Sequence, residues 1–208
     1  MMCACLIPVT RKDLAQTAVE HAEADGWTVF QEHDSERIGV NPMRNALLNT
    51  ALEAGADYIR WADDDDVVLP HREAAIAALQ NADVVYFDFH YSRNGQTVQF
   101  PFSGDIKSDA IALPAPWSFV ARADALLRFT DINPLWDLAL VYAHGGEAFF
   151  KMMQEGLRIR HVPVFAYDWR YAICFPHITQ GPRKDQNDEA RLLRERIGNW
   201  FKEGGSCK

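Results

Sequence analysis

Hydrophobic and polar positions alternate between strand and helix patterns along the first 90 residues. CACLIPV, WTVFQEH, DYIRWA and DVVYFDFHY each predict a strand, because they are apolar or β-branched runs bounded by turn residues. RKDLAQTAVEHAEADG and PHREAAIAALQNA have the spacing of helices. NPMRNALLNTALEAG predicts a further helix, with Asn41 at the N-cap, Pro42 in the first turn and Gly55 at the end. This alternation is typical of an α/β fold with a mostly parallel sheet covered by helices.

The second half of the chain has weaker periodicity over residues 101–140. A helix is predicted from about position 146 to Gly156, because apolar residues recur there at helical spacing. RIRHVPVFAYDWRYA predicts a pair of strands, and DEARLLRERIGNWF predicts a terminal amphipathic helix. Because no internal repeat or convincing linker interrupts the sequence, we expect a single domain over residues 1–208.

Composition excludes some classes of function. With 208 residues and 48% hydrophobic content, the chain can bury a sizeable core. A net charge of −8 argues against a basic nucleic-acid-binding surface over the whole molecule. The four cysteines lack the spacing of a zinc module or a disulfide framework, so we expect reduced, buried thiols in a cytoplasmic protein. The apolar start, Met1 to Val9, is too short for a membrane span, and none is expected.

Four adjacent carboxylates, Asp63 to Asp66, follow the third predicted strand. An extended backbone would divide them into two pairs on opposite faces. Unit charges about 4 Å apart repel by roughly 1 to 4 kcal/mol, so the cluster needs compensation. Mg²⁺ or Mn²⁺ would supply it, and the carboxyl ends of strands in open α/β sheets commonly bind ligands. A solvated acidic loop is the alternative, and the run alone does not favour either interpretation.

A resemblance to a known family favours the metal site. ADYIRWADDDDVVLP, preceded by RNALLNTALEAG, resembles the Asp-x-Asp region of nucleotide-sugar-dependent glycosyltransferases with the GT-A fold, of the family 2 type. The residues that match are Asp63, Asp65, Asp66, Arg44, Asn45 and Pro70. The resemblance covers about residues 3–90 well and the remainder loosely. It implies a Rossmann-like, nucleotide-sugar-binding half over residues 1–100, with an acceptor-binding half and C-terminal helix over residues 101–208.

The resemblance also implies roles for individual residues. Asp65 would ligate a Mn²⁺ or Mg²⁺ ion that bridges the donor diphosphate, and Asp63 would contact the ribose or the metal. Asp66 would support this pair, and Asp64 is expected to tolerate replacement. The remaining donor-binding residues that the resemblance implies are Thr10, Arg11, Asp34 (facing the base), Arg44, Asn45, Arg183 and Lys184.

Two residues of the second half match further positions of the family. His177 matches a late metal ligand, and imidazole is a reasonable partner for Mn²⁺. Trp117 lies in the region where the family binds the acceptor. The structural alternatives remain open: His177 as a surface residue, Trp117 as a core residue, Arg44 as an ordinary first-turn residue and the basic pair 183–184 as a solvated turn.

The general base is the main departure from the family pattern. An inverting transfer needs a base to deprotonate the acceptor hydroxyl, and the family often carries it as the Asp of a Glu-Asp pair that opens a helix. The matching region, YAHGGEAFFKMMQEG, lacks this pair. Glu147 is the nearest candidate, with Asp137 and His144 in reserve. Glu147 has an alternative role as a helix N-terminal acid, so the stereochemistry of transfer stays open.

The resulting hypothesis is a metal-dependent glycosyltransferase that moves a sugar from a nucleoside-diphosphate sugar to an acceptor hydroxyl. The acceptor is a glycan, a small molecule, a protein or modified DNA. One alternative is a sugar-phosphate nucleotidyltransferase, although no glycine-rich phosphate loop follows the first strand. The other is a non-catalytic module of the same fold that binds a sugar nucleotide or a carbohydrate, which the missing Glu-Asp pair favours.

Overall fold

The secondary structure of the chain comes from a computed structural model that describes residues 1–35, 38–65, 67–93, 96–112, 114–115, 118–129, 133–136, 144–169 and 183–206. The strands are β1 (Cys3–Val9), β2 (Thr28–His33), β3 (Tyr58–Trp61), β4 (Val67–Val68), β5 (Val84–Arg93), β6 (Gln96–Phe100), β7 (Phe119–Arg122) and β8 (Ile159–Trp169). The helices are α1 (Lys12–Ala24), α2 (Val40–Glu53), α3 (Arg72–Leu79), α4 (Ile106–Ala112), α5 (Ala123–Leu126), α6 (His144–Gln154) and α7 (Arg183–Lys202).

These strands form one sheet in the order β2-β1-β3-β7-β5-β8-β4, with β6 paired beside β5. β1 lies between β2 and β3 and is parallel to both, which confirms the α/β class and the Rossmann-like N-terminal half. The sheet as a whole is mixed, since β7 is antiparallel to β3 and β5, and β6 is antiparallel to β5. A reversal at β6 follows from its short connection to β5, which leaves no room for a parallel crossover.

Strand β1 is buried on both faces, and this places helices on both sides of the sheet. Ala4 and Leu6 belong to a core cluster that includes buried residues of α2, α6 and α7. Cys5 and Ile7 belong to a second cluster on the opposite face, with residues of α1 and α3. The prediction of buried, free thiols is confirmed for Cys3 and Cys5, and burial raises the pKa of Cys5 to about 11. Cys174 and Cys207 lie outside the described residues.

Two element predictions need correction. Helix α2 begins at Val40 with Gly39 at its N-cap, so Asn41 is a buried first-turn residue and not the cap. Gly39 has φ 97°, a conformation that glycine adopts easily. The predicted strand pair near residue 160 is the single strand β8. The register of β8 to β5 shifts between Val162 and Phe165. Pro163, which cannot donate a ladder hydrogen bond, lies in this irregular stretch.

Two further observations concern the helices. The terminal helix α7 begins at Arg183, earlier than the amphipathic pattern predicts. Within the described part of the chain, no helix combines the length and the apolar character that a membrane span requires.

Candidate functional site

The acidic segment leaves the carboxyl end of β3, beside the carboxyl end of the parallel strand β1. Asp63, Asp64 and Asp65 belong to the described residues, whereas Asp66 lies outside them. The three carboxylates have different environments, so they are not equivalent candidates for ligand binding.

Asp63 is the most exposed of the three carboxylates, with 32% of its side chain accessible. Its Oδ1 accepts a hydrogen bond from Nη2 of the buried Arg44 at 2.6 Å. Its backbone N–H donates to the Tyr167 hydroxyl at 3.0 Å, which ties it to β8. Desolvation raises the pKa of Asp63, Arg44 opposes that rise, and the neighbouring carboxylates add to it. Asp63 is therefore a supported carboxylate that is open to an incoming cation or hydroxyl group.

Asp64 is buried, with 3% of its side chain exposed, and it anchors the β1–α1 junction (Thr10–Arg11). Its Oδ2 accepts hydrogen bonds from the Thr10 N–H at 2.7 Å, the Thr10 hydroxyl at 2.9 Å and the Arg11 N–H at 2.7 Å. Its Oδ1 accepts a fourth from Arg11 Nη2 at 2.8 Å. This geometry contradicts the expectation that Asp64 tolerates replacement, because one buried carboxylate satisfies donors of two consecutive residues.

Asp65 forms an ion pair with Nη2 of Arg11, the same nitrogen that contacts Asp64. Only 4% of the Asp65 side chain is exposed, against 26% for Arg11. Desolvation lowers the pKa of Arg11, but the hydrogen bonds to Asp64 and Asp65 outweigh it and raise the pKa overall. Arg11 and Arg44 thus provide part of the compensation that the sequence analysis attributed to a divalent cation.

Arg44 and Asn45, in the second turn of α2, both contact Trp136. The Arg44 guanidinium lies over the Trp136 ring, 4.9 Å from its centroid, and only 1% of the side chain is exposed. The Asn45 side-chain amide donates to the Trp136 carbonyl at 3.0 Å and accepts from the Trp136 N–H at 3.2 Å. The contacts of both residues are those of positioning residues. Their direct contact with a donor stays a prediction.

Asp34 directly follows β2, at the end of the sheet where the parallel strands β1, β2 and β3 have their carboxyl ends. Its carboxylate accepts hydrogen bonds from the backbone N–H groups of Ile38 at 2.7 Å and Gly39 at 3.0 Å. Its own N–H donates to the Val9 carbonyl at 2.9 Å, which places it next to the β1–α1 junction. The structure therefore brings Thr10, Arg11 and Asp34 together at the carboxyl ends of β1 and β2. The contact of Asp34 with a base stays a prediction.

Glu147 lies in the first turn of α6 and is buried, with 3% of its side chain exposed. Arg196 of α7 donates to its two oxygens, at 2.9 Å from Nη1 and 3.2 Å from Nη2. Ala148, which follows Glu147 where the resemblance implies an Asp, is fully buried. This environment favours a structural role for Glu147, which would have to leave Arg196 to act as a base.

The remaining predicted residues are placed only by the helix that holds them, or they lie outside the described residues. Arg183 and Lys184 lie in the first turn of α7, and His144 is the first residue of α6. The predicted residues that lie outside the described part of the chain are Asp66, Trp117, Asp137 and His177.

Tyr167 is a site residue that the sequence analysis did not single out. It is buried in β8, and its hydroxyl accepts the backbone N–H of Asp63 across 104 positions of sequence. Nothing in the local pattern distinguishes it from other aromatic residues of an apolar strand, since the pairing of β8 with β4 and β5 decides what it contacts.

The donor chemistry of Asp63 and Asp65 fits Mg²⁺ or Mn²⁺, ions that typically bind through one or two carboxylates plus substrate phosphates. A closed all-protein site would look different: among the described residues, no group of three or more His, Cys, Asp or Glu side chains is arranged to hold a metal. The Arg11 guanidinium against Asp65 shows that this carboxylate accepts a cationic partner. The set is therefore compatible with a metal that a diphosphate completes.

Comparison with solved structures finds chains of similar fold. Residues 1–349 of S. aureus TarS in complex with UDP-GlcNAc superpose with a TM-score of 0.65 at 15% identity, covering 93% of this chain and 65% of that one. The complex of the same TarS chain with UDP gives 0.63 at 15% identity, covering 95% and 65%. A longer S. aureus TarS structure gives 0.61 at 15% identity, covering 82% and 37%. The chain thus spans less than two thirds of each TarS chain.

The sequence itself has no match among protein-family models or curated proteins. The structural likeness and the sheet order together define the class of fold. The chain has a GT-A-like fold, as the resemblance of the Asp-x-Asp segment predicts.

Proposed function

We propose that this protein is a glycosyltransferase that moves a sugar from a nucleoside-diphosphate sugar to an acceptor hydroxyl, with Mn²⁺ or Mg²⁺ as cofactor. The observation that carries the proposal is the placement of Asp63 and Asp65 at the carboxyl end of β3, beside the β1–α1 junction of a GT-A fold. The UDP-GlcNAc complex of TarS, which shares this fold, supports a nucleotide sugar as the donor.

The nucleotide half would bind the donor through residues that follow the carboxyl ends of β1, β2 and β3. Asp34 would accept a hydrogen bond from the base, and the Thr10–Arg11 junction would contact the nucleotide. Asp63 and Asp65 would hold the metal, which neutralises the departing diphosphate when it is bound. Arg44 keeps Asp63 in place through the 2.6 Å hydrogen bond. His177 is proposed as a further metal ligand. Arg183 and Lys184 are proposed as cationic groups that contact the diphosphate.

The acceptor half would supply the base and the acceptor site. Glu147 and Asp137 are the carboxylates proposed as general base, and Trp117 is the proposed acceptor platform. Because Glu147 already accepts two hydrogen bonds from Arg196, its use as a base requires that pair to open. The acceptor is a glycan, a small molecule, a protein or modified DNA, and the net charge of −8 disfavours DNA. A cytoplasmic location is part of the proposal, from the cysteine pattern.

A second candidate function is a sugar-nucleotide-binding module without turnover. The observation that favours it is the first turn of α6, where Glu147 is paired with Arg196 and the next residue is a buried alanine. The two candidates share donor binding and differ only in turnover, so one assay separates them.

The test is release of nucleoside diphosphate from a panel of nucleotide sugars, with Mn²⁺, with Mg²⁺ and with a chelator. We expect metal-dependent release, a loss of about a hundredfold or more in Asp65→Asn, and wild-type activity in Asp124→Asn. Asp124 is a matched control, because it is also paired with an arginine. It follows β7, which is antiparallel to β3, and so lies near the amino end of β3, away from the acidic segment. Full activity of Asp65→Asn in the chelator would refute the mechanism. Donor binding without release would favour the binding module.

A further inference from the structure

We propose that Arg11 couples nucleotide binding to cation binding by covering Asp65 until a diphosphate draws its guanidinium away. The inference rests on the proposed function, because it concerns the same site. Its starting point is the shared contact of Arg11 Nη2 with Asp64 and Asp65. A cation that requires Asp65 must first displace this guanidinium.

The backbone of Arg11 is held while its side chain retains a route to solvent. The Arg11 N–H donates to Asp64 Oδ2 at 2.7 Å, and the preceding Thr10 N–H donates to the same oxygen at 2.7 Å. Any movement therefore falls to the side chain, which is 26% exposed. Arg44, the other arginine of the site, is 1% exposed and lies over Trp136, so it has no comparable freedom. In this proposal Arg11 is therefore the counter-ion that moves, and Arg44 is the one that stays.

The two carboxylates differ in exposure in the opposite sense to the arginines that they contact. Asp63 is 32% exposed although it is paired with Arg44, whereas Asp65 is 4% exposed beneath Arg11. A Mn²⁺ ion that arrives alone thus meets one accessible carboxylate and one that is occupied. Because two carboxylates bind such ions better than one, binding of the cation alone is weakened.

A nucleoside diphosphate offers Arg11 an alternative partner. A guanidinium binds phosphate oxygens through two parallel hydrogen bonds, so Arg11 can exchange Asp65 for a phosphate without losing its charge compensation. Asp65 then becomes available to the cation, which the diphosphate also ligates. The nucleotide and the cation therefore raise each other's affinity, and the factor must be the same in both directions.

The experiment measures Mn²⁺ binding to the full chain from the electron paramagnetic resonance signal of free Mn²⁺, with and without UDP. We expect the wild type to bind Mn²⁺ weakly alone and at least about fivefold more tightly with UDP. Arg11→Gln should bind Mn²⁺ alone at least about fivefold more tightly than the wild type and gain less from UDP. Lys12→Gln, which removes the charge of the next residue, should behave as the wild type.

Arg11→Lys guards against a folding defect, because it keeps a cation and leaves the backbone hydrogen bonds to Asp64 available. It should bind Mn²⁺ alone with an affinity between those of the wild type and Arg11→Gln. If the arginine variants bind Mn²⁺ alone no more tightly than the wild type, while UDP still strengthens binding, the role of Arg11 in the coupling is overturned and the proposed function is left intact. A wild type that binds neither Mn²⁺ nor UDP would overturn both.

Discussion

Replacement of Asp64 by alanine tests whether the acidic segment anchors the β1–α1 junction. The change removes the acceptor of four hydrogen bonds from Thr10 and Arg11 in a site that is 3% exposed. Hydrogen bonds to charged groups contribute about 1.5 to 3 kcal/mol each, and breaking a buried ion pair costs about 3 to 5 kcal/mol. Since the four bonds share one carboxylate, their energies do not add. We therefore expect a loss of about 4 kcal/mol in the free energy of unfolding.

Urea unfolding followed by tryptophan fluorescence measures this loss, and a change of this size lowers Tm by roughly 8 to 16 °C in a protein of about 200 residues. Asp124→Ala is the control, because it removes an exposed carboxylate that is paired with Arg122 and should cost less than about 1 kcal/mol. The reasoning is refuted if Asp64→Ala and Asp124→Ala lose similar, small amounts of stability.

Three further predictions concern other contacts of the fold. Burial and a neighbouring guanidinium lower the pKa of His71 to about 3, below its ordinary value of 6.5. The stability that neutral His71 contributes is thus present above pH 6.5 and decreases by up to about 1.4 kcal/mol per pH unit as the pH falls toward 3. The free energy of unfolding of His71→Gln should therefore fall less than that of the wild type between pH 7 and 5. An equal fall in both proteins would contradict this. A double-mutant cycle of Glu147→Ala and Arg196→Ala should give a coupling of about 1 to 2 kcal/mol in unfolding, whereas additive effects would show that the pair contributes nothing. Gly205→Ala should lower Tm, because a Cβ there would lie 2.3 Å from the Trp200 ring; an unchanged Tm would mean that the ring moves aside freely.

Much of the first half of the chain could be predicted from the sequence because its signals are local. The alternation that predicts β1, α1, β2, α2 and β3 depends on residues within one element, and the order β2-β1-β3 follows from the winding of such units. The Asp-x-Asp segment could be placed for the same reason, since it directly follows a buried strand.

The partners of the acidic segment could not be predicted, because sheet order decides them. Asp64 contacts the junction 53 and 54 positions earlier, and Asp63 contacts Tyr167, 104 positions later. The run alone leaves a metal site and a solvated loop open, and it is the family resemblance that implies a metal at Asp65 and tolerance of replacement at Asp64. The fold brings Arg11 and Arg44 to the carboxylates, and it gives Asp64 four hydrogen bonds from Thr10 and Arg11.

The most direct test of a nucleotide-sugar site at Asp63 and Asp65 is a thermal-shift screen of nucleoside-diphosphate sugars with Mn²⁺. A donor present at about 100 times its Kd should raise the free energy of unfolding by about 2.7 kcal/mol, or Tm by roughly 5 to 11 °C. The account predicts this rise for at least one donor in the wild type and in Asp124→Asn, and at most half of it in Asp65→Asn. Finding that no nucleotide sugar raises Tm, with or without Mn²⁺, would contradict it.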